Sequence, residues 1–175
     1  MRAALATLCL ILCPLLWMTS ANADWRADVQ PAQLVGEGDF SVFGFRLYRA
    51  QLWSEHAPLN YTAPFALHLI YTRSIRRERF ADIGMDEIKR QATAPLSHDT
   101  IERWHDDLMQ ALTDVEPGDQ LSAVFLPGKG VRFYAGEQPT AEIDDVAFAR
   151  AFFGIWLDPS TRAPKLRMQL LGTAQ

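Results

Sequence analysis

Apolar residues crowd together between Leu34 and Trp53, interrupted by glycines at 36, 38 and 44. Phe, Val, Leu and Tyr in such density predict strand structure broken by turns or bulges, with Gly36-Glu37-Gly38-Asp39 as a hairpin turn. In residues 64–73, Phe65, Leu67, Leu69 and Tyr71 fall on alternate positions and so share one face of a strand. The period then changes. Phe80, Ile83, Ile88 and Ala92 recur near 3.6 residues, and Pro95 stops that segment. A second helix is predicted from Asp99, with Glu102 completing a capping box. It carries Ile101, Trp104, Leu108 and Leu112 on its apolar face. Short strands follow at 120–126, 131–134 and 140–143, joined by the turns EPGD, PGKG and 135–139. Asp144 or Asp145 caps a helix over 146–157. A last short helix over 165–171 ends at Gly172. Residues 24–33 are polar and predict a loose start. The order strands, helices, strands, helices points to an α+β fold with an antiparallel sheet, not a doubly wound parallel one.

The N-terminus departs from this pattern. Arg2 precedes an apolar run over 3–18, and Ala21-Asn22-Ala23 places small residues where a signal peptidase cuts. Residues 1–23 therefore predict a secretory signal peptide, and residues 24–175 a single domain. The apolar run is shorter than the ~20 residues of a stable span, so no membrane span is expected after cleavage. The expected location is outside the cytoplasm, in the periplasm if the cell has two membranes.

Removing 23 residues leaves 152 of the 175, and both cysteines, Cys9 and Cys13, leave with them. Thiol catalysis, cysteine-bound zinc and iron–sulfur chemistry are then excluded from the domain. Its stability has to come from a core, and a chain of ~150 residues is long enough to build one. The full chain carries 17 basic and 21 acidic residues, a net charge of −4. That excludes a broad basic surface, and nucleic acid is not an expected partner.

Few segments carry recognisable chemistry. The helix over 146–157 (VAFARAFFGIWL) has Arg150 as its one charged residue. A helix apolar all round is either a core helix or meets something apolar on its second side. Phe148, Phe152, Phe153 and Trp156 are therefore candidate walls of a ligand cavity. Arg150, if buried, needs a carboxylate, from the protein or from a ligand, unless its stem carries it to the surface. Arg73, Arg76, Arg77 and Arg79 form a basic cluster with acidic neighbours, read as a solvated loop or helix start. Arg73 follows Tyr71 at strand spacing and is a candidate to point into the same space. His98, Glu102 and His105 have the spacing of one helix face. His98 precedes the expected cap, so no metal site is predicted. Lys129 in PGKG lacks phosphate-loop spacing, and the nucleophile motif of serine hydrolases is absent. No cofactor is expected.

Four stretches resemble the bacterial chalcone-isomerase-like proteins, relatives of plant chalcone isomerase and plastid fatty-acid-binding proteins. They are Gly36-x-Gly38 with Phe45-Arg46-Leu47-Tyr48-x-Ala50-x-Leu52-Trp53; Phe65-Ala66-Leu67-x-Leu69-x-Tyr71; Trp104 with Val115-x-x-Gly118-Asp119-x-Leu121; and Phe148 through Leu157 with Leu166 and Leu170-Leu171-Gly172. The resemblance runs from about Leu34 to Gly172. It implies an open-faced β-sandwich, an antiparallel sheet with helices over one face. It also implies a cleft that closes a chalcone ring in the plant enzymes and holds an acyl chain in the fatty-acid-binding relatives. The family's catalytic arginine, in the pattern G-x-G-x-R, falls here on Phe40, and the register of its catalytic threonine falls on an apolar residue near Phe43. Ketone polarisation needs cationic and hydroxyl donors, so the expectation is binding without catalysis. The expected ligand is a small apolar or acyl molecule between the sheet and the 146–157 helix. Tyr48, Tyr71 and Arg73 are expected as polar anchors, and Phe152 and Trp156 as apolar wall. Two other readings stay open: an intramolecular lyase using Arg46 or Arg73, and an interaction protein with a filled core. The oligomeric state is not legible.

Overall fold

The computed structural model describes residues 24–173; the expected leader over 1–23 lies outside the described residues. Six strands form one antiparallel sheet in which each strand pairs with its neighbour in the chain. They are β1 (Gln33–Val42), β2 (Phe45–Ser54), β3 (Phe65–Tyr71), β4 (Gln120–Leu126), β5 (Gly130–Ala135) and β6 (Gln138–Ile143). Helices α1 (Arg77–Gln91) and α2 (His98–Ala111) enter between β3 and β4. Helices α3 (Val146–Leu157) and α4 (Pro164–Leu170) follow β6.

Alternation sets which face is covered. Tyr48, Ala50 and Leu52 of β2 and Phe65, Leu67, Leu69 and Tyr71 of β3 are buried together with the apolar faces of all four helices. The pairing aligns Leu52, Leu67, Ala123 and Phe133 in one row across four strands. This is the α+β arrangement expected, a sheet with helices on one face.

Glycines 36 and 38 do not make a turn. Both lie inside β1, where α4 crosses the strand at close range. A Cβ on Gly36 would overlap the Gln169 carbonyl and lie 2.7 Å from that of Leu170. One on Gly38 would meet the Gln169 side chain and come within 2.8 Å of Leu166 Cδ1. Glycine serves here as the residue without a Cβ, letting two backbones approach. The real turn is Phe43-Gly44, with φ of 50° and 82° between the paired Val42 and Phe45. Positive φ at both central residues is what a two-residue type I′ hairpin turn requires.

Other expectations are corrected at element ends. The start at 24–33 is anchored: Trp25 and Val29 are buried with Ala66, Val124 and Tyr134 on the second face of the sheet. Asp24 caps the short 3-10 helix Trp25–Asp28. Arg132 and Tyr134 both bond to Asp28. The α2 cap is Ser97, whose hydroxyl accepts from the Thr100 amide at 3.2 Å, so Asp99 lies within the first turn and forms no capping box. On α1 the buried positions are Ala81, Met85, Glu87 and Ile88, while Ile83 stays half exposed. The α3 cap, by contrast, is one of the two residues expected: Asp145 accepts from the Phe148 amide and from Trp104 Nε1.

Candidate functional site: a cavity between sheet and helices

The space between the layers is filled at one end and hollow at the other. At the filled end Phe65 and Phe125 stack at 5.0 Å, and Phe153 meets Phe65 edge-on at 4.8 Å. Tyr61 packs edge-on against both Phe65 and Phe125. At the other end lies a cavity of about 450 Å³. Its sheet wall is Leu67, Leu69 and Tyr71 of β3, Leu121 and Ala123 of β4, and Phe133 of β5. Its helical wall comes from Phe80 and Gly84 of α1, Leu108 of α2, and Phe152, Ile155 and Trp156 of α3. Small residues on both walls leave this space. Ala123 stands between Leu67 and Phe133 in its row. Gly84 presents only backbone from the helix side, with the Leu108 and Ile155 methyls 3.5 and 3.9 Å from where a Cβ would stand.

Polar groups are few and placed at identifiable points. The Trp156 indole Nε1 donates to the Tyr48 hydroxyl oxygen at 3.0 Å. The Tyr48 and Tyr71 rings meet edge-on at 5.6 Å, and Phe80 packs edge-on against Tyr71 at 5.1 Å. The Tyr71 hydroxyl makes no hydrogen bond to a described residue. Among the described residues no buried side-chain polar atom is left without a partner, so that hydroxyl faces accessible space in the cavity. Burial raises the pKa of both tyrosines well above the ordinary phenol value. Both therefore act as neutral groups able to donate a hydrogen bond. At the rim, Arg79, Asp86, Glu87, Thr161 and Arg162 border the opening. Arg90 beside Glu87 holds its carboxyl below the usual carboxylate range. The Arg90 guanidinium also bonds the Ser160 carbonyl at 2.7 Å, and Arg162 Nε lies 3.4 Å from Glu87. These contacts fasten α1 to the α3–α4 connection beside the opening.

Tyr48, Tyr71, Phe152 and Trp156 all line this cavity. Arg73 is not in its lining: β3 ends at Tyr71, and the exposed guanidinium lies 5.7 Å from the Phe45 ring centroid. Arg150 reaches the surface, 4.8 Å from the Tyr61 ring centroid. The cavity arginines are instead Arg79 and Arg162. Arg79 sits in the basic cluster one residue before the apolar Phe80. Nothing in the sequence around Arg162 signals its position, because contact across the fold puts it there. Arg46 pairs with Asp39 at 3.2 Å on the exposed face. Phe40 stacks on Tyr48 at 5.1 Å and lines the cavity, so an apolar ring occupies the register of the expected catalytic arginine. His98 lies in the first turn of α2, 3.5 Å from Glu102, whereas His105 faces Asp82 of α1 at 3.3 Å. Among the described residues no group of three or more His, Cys, Asp or Glu is placed to hold a metal. Among the described residues no helix is long and apolar enough to cross a membrane.

A single sheet, a helical layer on one face and an apolar cavity between them make up an α+β architecture of the chalcone-isomerase type. The chain belongs to the chalcone isomerase-like family, whose model matches residues 22–172. An uncharacterized protein of Haemophilus influenzae is 30% identical over 142 residues, which is 80% of this chain and 68% of that one. Among solved structures, a fatty-acid-binding protein of Arabidopsis thaliana superposes with a TM-score of 0.62 at 10% identity, over 85% of this chain and 89% of that one. At that identity the likeness is one of fold.

Proposed function

We propose that this protein binds a small apolar or acyl molecule without transforming it, in the cavity between the sheet and helices α1–α3. The observation that carries this reading is the cavity itself: about 450 Å³, within the ~300–1,000 Å³ usual for small-molecule sites. Its walls are aliphatic and aromatic, and the unpartnered Tyr71 hydroxyl is its inner polar group. Arg79, which forms no ion pair among the described residues, suits a carboxylate head. The fold shared with a plant fatty-acid-binding protein supports the same reading. Phe40 in the register of the family's catalytic arginine supports binding over ring closure. The hollow between the layers also speaks against a filled-core interaction protein.

Native mass spectrometry of the purified protein tests this, followed by titration with a fluorescent fatty acid. The expected result is one acyl or aromatic molecule per chain, displaced by unlabelled fatty acid, with weaker binding in Tyr71→Phe. An empty protein that fails to bind the probe would overturn the reading, and so would turnover of a chalcone. Residues 1–23 belong to the same proposal as a secretory leader cleaved before Asp24. The intact mass of the protein recovered from the cell envelope fraction checks that cut.

A further inference from the structure

The β1–β2 hairpin ends in an exposed apolar tip. Phe43 is 96% exposed, Phe45 62% and Val42 37%. Phe43 also has a φ of 50°, a region that a bulky side chain enters at a cost and that Asn, Asp or Gly adopt readily. A phenylalanine here gains no packing within the fold and suits the turn less well than asparagine. The hairpin that carries the tip also lines the cavity further along its strands. Phe40, three residues from Phe43 and so about 10 Å along the strand, lines the cavity, as do Leu47 and Tyr48 on the returning strand.

Two arginines without an ion pair among the described residues, Arg73 and Arg79, lie on the segment that packs against the tip. Arg73 sits beside Phe45, and Thr72 joins that segment to the hairpin through the Arg46 and Leu47 carbonyls. Arg76 and Arg79 follow on the same exposed stretch. Of the nearby carboxylates, Asp39 is paired with Arg46 and Arg49 and Glu78 with Arg76 and Arg77, while Glu116 accepts from the Ser74 hydroxyl and Asp114 from the Arg77 amide. Aromatic side chains that seat among acyl chains, ringed by arginines at headgroup depth, fit an anionic lipid surface.

We infer that the Val42–Phe45 tip docks this protein on anionic membranes, inserting Phe43 and Phe45 with Arg73 on the headgroups, and so brings the cavity mouth to the bilayer. This rests on the binding reading for its purpose, since it states where an acyl ligand would enter, but the docking is measured separately.

Flotation with vesicles of phosphatidylglycerol and phosphatidylethanolamine, against vesicles of phosphatidylcholine alone, tests it. Phe43→Asn suits the turn and so keeps the hairpin folded, and Phe45→Thr keeps strand propensity. The expected result is co-flotation with the anionic vesicles, weakened by added salt. The Phe43→Asn/Phe45→Thr pair is expected to lower vesicle affinity about tenfold or more, and Arg73→Glu to weaken it as well. Both variants should retain fatty-acid-probe binding in solution. Wild-type protein that stays with the bulk phase at low salt overturns the inference. So does a double variant that floats as well as wild type. So does a concentration-dependent dimer, seen by sedimentation and lost in Phe43→Asn, in a protein that ignores vesicles. Loss of probe binding with flotation intact counts against the cavity reading alone.

Discussion

The indole Nε1 of Trp156 donates to the hydroxyl oxygen of Tyr48 at 3.0 Å with both residues buried, which ties α3 to β2 beside the cavity. The neighbouring Tyr71 hydroxyl has no such partner. Tyr48→Phe therefore strands a buried indole N–H and is expected to cost about 1–3 kcal/mol of stability in denaturant unfolding. Tyr71→Phe should leave stability nearly unchanged and weaken a bound oxygen-bearing ligand. Equal stability losses in the two variants would contradict this assignment of the hydroxyls.

The close crossing of β1 and α4 ranks two further substitutions. Gly36→Ala drives a methyl into the backbone carbonyls of Gln169 and Leu170, whereas the first obstacle to Gly38→Ala is the Gln169 side chain, which can swing away. Gly36→Ala is expected to destabilise by about 1–3 kcal/mol, the usual range for overpacking, and Gly38→Ala by less. Thermal unfolding of the two proteins side by side checks the order.

Gly84 has the opposite character. It lies inside α1, and a Cβ there meets the Leu108 and Ile155 methyls at 3.5 and 3.9 Å, ordinary contact distances. Gly84→Ala should stabilise by up to about 1 kcal/mol through helix propensity. A larger residue such as Gly84→Leu should instead exclude the fatty-acid probe. Probe affinity unchanged by Gly84→Leu would place the ligand elsewhere.

His68 predicts a pH dependence. Its ring stacks on Trp25 at 5.4 Å and its Nδ1 lies 2.8 Å from the Ser122 hydroxyl. Burial, with Arg26 nearby, lowers its pKa from 6.5 to about 4. Below pH 6.5 the unfolded chain takes up a proton that the folded imidazole refuses. The stability held above that pH therefore falls as pH drops toward the folded value. The difference between wild type and His68→Gln should change by about 2 kcal/mol between about pH 7 and pH 5. A constant difference across that range would mean that the folded imidazole protonates freely.

The sequence was most legible where one local signal had one meaning. The alternation Phe65, Leu67, Leu69, Tyr71 reads as a strand face, and the aspartate pair 144–145 before VAFARAFFGIWL marks the start of α3 to within one residue. It was least legible at glycine, which signals either a positive φ or a missing Cβ. Gly36 and Gly38 show the second use, while the real turn at Phe43-Gly44 carried a residue that suits such turns poorly. Trp25 was hidden because a single tryptophan in a polar stretch shows no periodicity. The apolar face of α3 was read as either core or cavity wall. The choice depended on Ala123 and Gly84, whose juxtaposition comes from sheet register and helix packing. Arg73 was expected inside by extending the strand alternation two residues past the end of β3. Arg79 and Arg162 take the cavity positions through tertiary contacts.

Residues 72–118 leave and rejoin the sheet at one point: the Tyr71 amide donates to Asp119 O at 2.9 Å, and the Gly118 amide to Tyr71 O at 2.8 Å. Ile75 and Val115 pair just beyond, so α1 and α2 form an excursion closed at its base. Lengthening or reshaping that excursion leaves the pairing of β3 with β4 untouched, because the added chain never passes through the ladder. The part of the hollow's wall that α1 and α2 supply can thus drift in shape independently of the scaffold that frames it, through changes confined to one contiguous quarter of the chain.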